Sequence, residues 1–189
     1  EALGGVSNSI LIYNNAYYNG VESDIGKNTY DELLPYIAYV DKNKNLLDTM
    51  FDSALFLPLN PGTDGEHSLS GWEHYLENTI GAAEDINMTA LDRLVGDIKA
   101  ELDLGDDFQF PVLMTVPYTS PSTAVFGTLD GSASVSLDTL EGCEAVVEWF
   151  VDESIAAFED ADFQNLKLVG FYWYAELINY AASDFGEAL

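Results

Sequence analysis

A chain of 189 residues that is 48% hydrophobic can bury one sizeable core, and it reads as a single domain over residues 1–189. Its formal net charge of −27, from 33 Asp and Glu against six Lys and Arg, argues against nucleic acid, polyanionic substrates and anionic membrane surfaces, because all of these demand clustered cations. Neutral or cationic ligands remain. No run approaches the roughly 20 consecutive apolar residues of a membrane span, and the lone Cys143 allows neither an internal disulfide nor a thiolate metal cage.

Ser9-Ile-Leu-Ile-Tyr13 is the first apolar run and predicts a buried strand, followed by the turn-forming Asn14 to Gly20 stretch that carries Tyr17 and Tyr18. Tyr30 to Leu34 predicts a short helix interrupted or ended by Pro35, since the residue before proline avoids helical geometry. Ile37 to Val40 and Met50 to Leu57 flank a polar turn, Asp41-Lys-Asn-Lys-Asn45, and the second segment predicts a strand with one buried acid, Asp52. An ionised carboxylate there needs hydrogen-bond partners or a task.

A Gly, Pro, Asp and Ser loop runs from Pro58 to Ser70, with a Ser68 or Ser70 cap before a helix that stops around Gly81. Asn87 or Thr89 caps the next helix, whose Leu91, Leu94, Val95, Ile98 and Leu102 form one apolar stripe ending at Gly105. Phe110 to Pro117 predicts the third buried strand, followed by an exposed loop that opens with Tyr118. Cys143, Val146, Val147, Phe150 and Phe158 mark a further amphipathic helix, and Cys143 falls at a core position of it.

Leu166 to Trp173 predicts the last strand, an apolar run covered on both faces, leading through Trp173 and Tyr174 to Glu176. Strands alternating with helices predict an α/β fold with right-handed crossovers and a parallel sheet or barrel. In such folds ligands bind at the carboxyl ends of the strands, so Glu176 is placed either for work or to solvate the first turn of a following helix.

Several motifs are weighed and set aside. Asp130 to Glu141 has oxygen side chains at calcium-loop spacing, but Val135 stands where that loop needs Gly, so a Ser-rich turn leading into a helix cap is the better reading. No Gly-rich phosphate loop, two-His metal helix or nucleophile elbow is present. No metal or cofactor is implied. A rim with Tyr13, Tyr17, Tyr118, Trp173, Tyr174 and Glu176 suits a neutral sugar, whose C–H faces stack on rings while its hydroxyls bond to acids.

Five blocks carry a resemblance: Leu34 to Asp41, Met50 to Leu57, Leu113 to Tyr118, Phe126 to Gly131 and Leu168 to Glu176. In their order and spacing the chain resembles the bacterial family called domain of unknown function 4855, usually read as similar to glycoside-hydrolase (β/α)₈ barrels of secreted or cell-surface type. The resemblance implies parallel βα units forming the first half or so of a TIM-type barrel, with Glu176 as general acid/base and Asp52 as a second carried-over acid of open role. Family members continue beyond the point matching Leu189. The resemblance therefore implies that a second catalytic carboxylate is supplied elsewhere, and that a second chain or second copy completes the barrel.

The expected activity is glycoside hydrolysis on a neutral glycan, outside the cell or at its surface. The alternative is a non-catalytic carbohydrate-binding or surface-assembly module that survives loss of Glu176 but not of Trp173. A structural protein polymerising through open sheet edges is a third reading.

Overall fold

The computed structural model describes residues 6–14, 17–18, 21–59, 68–81, 84–119, 125–131 and 133–174. In chain order they form β1 (Ser9–Asn14), β2 (Tyr17–Tyr18), β3 (Val21–Glu22), α1 (Tyr30–Ile37), β4 (Ala38–Val40), β5 (Leu46–Thr49), β6 (Ser53–Pro58), α2 (Leu69–Thr79), α3 (Asn87–Glu101), β7 (Phe110–Val116), β8 (Gly127–Thr128), β9 (Ser134–Val135), α4 (Leu140–Ala161) and β10 (Leu166–Trp173). The central sheet has four strands in the order β1-β6-β7-β10, and every pairing in it is parallel. Spatial order thus follows chain order without a switch of direction. The fold is α/β.

Helices cover one face of this sheet. Ile12 of β1, Ala54 and Phe56 of β6, and Val112, Met114 and Val116 of β7 join one buried cluster with Leu33 of α1, Trp72 of α2, Leu94 of α3 and Phe150 of α4. Leu168, Phe171 and Trp173 of β10 pack against that cluster. Because side chains alternate along a strand, the intervening residues point the other way: Leu11 and Tyr13, Leu55 and Leu57, Leu113, and Tyr172. None of these belongs to the cluster. Leu11 is 39% exposed and Tyr13 49%.

This corrects the reading of fully covered strands. The apolar runs are real, but only one face of the sheet lies under helices among the described residues. The second face is open along β1, where Leu11 and Tyr13 are exposed, and buried along β7 at Leu113 and Thr115.

Local chemistry sets the element ends. Glu32 accepts from the Thr29 amide (2.9 Å) and hydroxyl (2.7 Å), fixing the start of α1, and these bonds hold its carboxyl below the usual range. Pro35 does not end α1, which runs on to Ile37; only the one amide bond that proline cannot make is lost. Ser68 caps α2 by accepting from Gly71 N, as the sequence suggests. Asn87, by contrast, is the first residue of α3 rather than its cap, and its backbone is left-handed at φ 50°. Thr139 caps α4 through Gly142 N (3.1 Å), where a Cβ on Gly142 would lie 1.8 Å from the Ser136 carbonyl oxygen. The Ser-rich approach to α4 is the cap it resembles: Ser136 Oγ donates to Asp138 (2.6 Å). Among the described residues, no group of His, Cys, Asp and Glu could hold a metal ion. Nor is any helix there long and apolar enough to cross a membrane.

Two strand boundaries differ from expectation. The segment after α1 is an antiparallel hairpin, β4 with β5, closed by the Asp41–Asn45 turn, in which Asp41 accepts from Asn43 N (2.7 Å) and Asn45 N (3.0 Å). The Asn45 side chain, which donates to Asp41 at 2.9 Å, depresses the Asp41 carboxyl most, with these backbone bonds adding to it. Consequently β6 begins at Ser53, and Asp52 precedes it.

Candidate functional site at the carboxyl rim

All four parallel strands end on one rim, which gathers Tyr13 and Asn14 of β1, Leu59 after β6, Tyr118 and Thr119 after β7, and Trp173 and Tyr174 of β10 and its extension. On the open face, Tyr13 lies in register with Leu57, and Thr115 with Tyr172. Across four strands at about 4.8 Å spacing, a Tyr13-to-Tyr172 row spans roughly 14 Å.

The rim is split between β6 and β7. Their pairing stops at Phe56 and Met114, whereas β1 with β6 continues to Pro58 and β7 with β10 to Val116. Tyr75 of α2, fully buried, stands at the split. Its hydroxyl accepts from Thr115 N (3.2 Å) and donates to the Phe56 carbonyl (2.8 Å), while Thr115 Oγ1 donates to the same carbonyl (2.8 Å). A side-chain hydroxyl is therefore inserted between two backbone groups of adjacent strands. Burial raises the Tyr75 pKa, so the phenol stays protonated and available as a donor.

Asparagines tie the end of β1 to the helices. Asn28 Nδ2 donates to the Tyr13 carbonyl (3.0 Å) and to Asn87 Oδ1 (2.9 Å), Asn87 N donates to the Asn28 carbonyl (2.8 Å), and Asn87 Nδ2 donates to the Asn78 carbonyl (3.2 Å). Asn14 Nδ2 donates to Thr79 Oγ1 (2.6 Å). Sequence reading missed this network and the Tyr75 wedge. The turn-prone Asn28 and the Asn78/Asn87 pair around Gly81 were the available signal.

The predicted site residues are not all brought together. Tyr13 is on the rim and exposed. Tyr118 follows β7 and is half-buried. Trp173 and Tyr174 pack against the helix-side core, with the Tyr174 ring edge-on to Trp72 at 6.0 Å, so they brace the rim rather than offer open stacking faces. Tyr17 forms the short β2–β3 ladder. Glu176 lies outside the described residues.

Asp52 stands at the opposite, amino end of the sheet. It accepts from Ser7 Oγ (2.5 Å), Ser7 N (3.1 Å) and Asn8 N (2.9 Å), and the Ser7 hydroxyl above all holds its carboxyl below the usual range. Six strand residues at about 3.3 Å each put roughly 20 Å between Asp52 and the carboxyl rim. Paired glycosidase carboxylates stand about 5 to 9.5 Å apart, so Asp52 cannot partner an acid at the rim. It is neither buried in mid-strand nor placed for catalysis there. It ties the approach to β1 onto β6.

Cys143 is buried, its Sγ donating to the Leu137 carbonyl (3.5 Å), and burial raises its pKa, which suits a core thiol rather than a nucleophile.

The blocks that carry the sequence resemblance fall on β4, β6, β7, β8 and β10, and the sequence profile of the family described as Domain of unknown function (DUF4855) matches residues 8–187. The chain belongs to that family. No curated protein and no solved structure matches the DUF4855 chain. The match covers every strand of the central sheet, so the rim described above is a feature of the DUF4855 domain and not of an appended segment.

Proposed function

We propose that this DUF4855 domain forms one half of a closed eight-stranded βα barrel that cleaves neutral carbohydrate outside the cell or at its surface, with Glu176 as general acid/base. The observation that carries the reading is the one-sided sheet. Four parallel strands in chain order, helices on a single face and an apolar opposite face are what half of a βα barrel presents. In that reading the open face becomes the barrel interior, and a second chain or second copy supplies the remaining strands.

Glu176 lies three residues beyond Trp173, the last residue of β10, in the sequence. A general acid at this position needs a carboxyl kept protonated, which apolar surroundings favour. No described residue of the rim supplies a second carboxylate, so the partner half would contribute it. Tyr13, exposed beside the row of open-face side chains, would carry a sugar ring.

The test is Glu176→Gln in the assembled protein, screened against neutral glycans. Loss of a general acid lowers kcat by about 10²- to 10⁴-fold with sugar binding retained. Full activity in that variant would refute the assignment. Binding without hydrolysis in the parent, abolished by Tyr13→Ala and indifferent to Glu176→Gln, would identify a binding module instead.

A further inference from the structure

On the outside of the helix layer, α2 and α4 leave between them a groove of about 380 Å³. Its apolar lining includes Leu69 and Leu76 of α2 with Trp149 and Ala157 of α4, and Glu73, Glu77 and Glu153 stand exposed along its two walls. No Lys or Arg lines it. Glu73 and Glu77 stand four apart on α2, and Glu153 stands four beyond Trp149 on α4, so all three face the same channel.

The groove is built rather than incidental. Trp149 is held edge-on against Phe126 at 6.1 Å and Phe150 at 6.0 Å, so its indole is oriented before any ligand arrives. At one end Leu69 N donates to the Phe126 carbonyl (2.8 Å), and Gly127 lies so close to Leu69 that a Cβ would come within 2.4 Å of the leucine Cβ. The β8–β9 hairpin and α2 are thereby locked together, and Leu129 closes that end.

We infer that this groove docks a short basic segment of a partner protein, alternating cationic and apolar residues, with one Lys or Arg side chain over the Trp149 face. A cation over an indole is attracted by the ring quadrupole, and flanking carboxylates of one sign select it. The lining runs from Leu69 to Glu77 on α2 and from Trp149 to Ala157 on α4, about 12 Å of each helix and the length of about four extended residues, whereas a small diffusible cation would use one point of it. A second copy is a poor occupant, because this chain has only six basic residues to offer to a groove walled by carboxylates. The inference is independent of the barrel reading, since the groove lies on the helix layer and the rim on the sheet.

The probe is the peptide acetyl-Arg-Leu-Arg-Leu-Arg-amide, titrated calorimetrically into the protein. The variants are the triple Glu73→Gln, Glu77→Gln, Glu153→Gln and the single Trp149→Leu. A charge-matched control carries Asp103→Asn, Asp106→Asn and Asp107→Asn, three exposed acids after α3. We expect at least tenfold weaker binding in the glutamate triple and in Trp149→Leu, and less than twofold in the control. Should Trp149→Leu fail to fold, the surface triple decides alone. Equal weakening in the control triple would reduce the attraction to net charge and overturn the inference. Spermidine binding as tightly as the peptide, or no peptide binding at 1 mM concentration on the order expected for weak docking, would overturn it too.

Discussion

Replacing Tyr75 by Phe removes a single oxygen from the centre of the molecule, and the structure specifies what that oxygen does. It accepts from Thr115 N and donates to the Phe56 carbonyl, with Tyr75, Thr115 and Phe56 all fully buried. In Tyr75→Phe the carbonyl keeps its bond from Thr115 Oγ1, but the Thr115 amide is left buried without an acceptor. An orphaned buried donor costs about 1–3 kcal/mol, so we expect a loss of about 2 kcal/mol. With a urea slope near 3 kcal/mol/M, the denaturation midpoint followed by circular dichroism should fall by about 0.7 M.

Thr115→Val should cost about 1 kcal/mol alone, because Phe56 then keeps the Tyr75 bond. The double variant should exceed the sum of the two by about 1 kcal/mol, since only there does the carbonyl lose both donors. Because burial raises the Tyr75 pKa, the phenol stays protonated and the deficit should be the same at pH 6 and pH 8. A midpoint shift below about 0.2 M, or strict additivity in the double variant, would refute the bridging role.

Asp52→Asn should destabilise the protein at neutral pH in a way that fades in acid. The Asp52 carboxyl is depressed in the folded state, so its contribution is present above the unfolded value of about 3.9 and is lost as pH falls through the folded value. The gap between urea melts of parent and variant should narrow steadily as the pH falls below that unfolded value; a gap that stayed constant through the acid range would count against the Ser7 and Asn8 anchor. Gly142→Ala should cost about 3 kcal/mol, because its Cβ would collide with the Ser136 carbonyl at the first turn of α4. For a chain of this size that lowers the thermal midpoint by about 6–12 °C, and a drop under about 2 °C would show that the turn relaxes freely.

The strands were legible where apolar runs were long. Phe110 to Val116 and Leu166 to Trp173 appear where their patterns place them, and the Leu91 to Ile98 stripe faces the core as its spacing demands. What such runs do not encode is coverage. Leu11 and Tyr13 are as apolar as Ile12, yet they face away from the helices, because a run of hydrophobic residues is equally compatible with burial by helices and by further strands. The β4–β5 hairpin was hidden because Leu46 to Thr49 is short and half polar.

Of the candidate site, Tyr13 was readable from its position at a strand end. The distance separating Asp52 from the rim was not, because it depends on where β6 begins, and that is fixed by hydrogen bonds from Ser7 and Asn8 some 44 residues away. Trp173 and Tyr174 look like ligand-facing aromatics in sequence. Only the alternation along β10, with its irregularity between Leu168 and Gly170, decides that Trp173 turns toward the core.

The match between chain order and strand order also bears on synthesis. A strand leaving the ribosome finds its sheet neighbour already made, with only the intervening helices and loops to close between them. Each added βα unit buries its helix against the units before it, and the receptive edge is always the strand most recently translated. Assembly can therefore advance in one direction without waiting for the carboxyl end, keeping nucleation local and the search short. Among the described residues β10 has a sheet partner on one side only, and an edge that emerges unpaired can be met by a proper partner strand or by a foreign one.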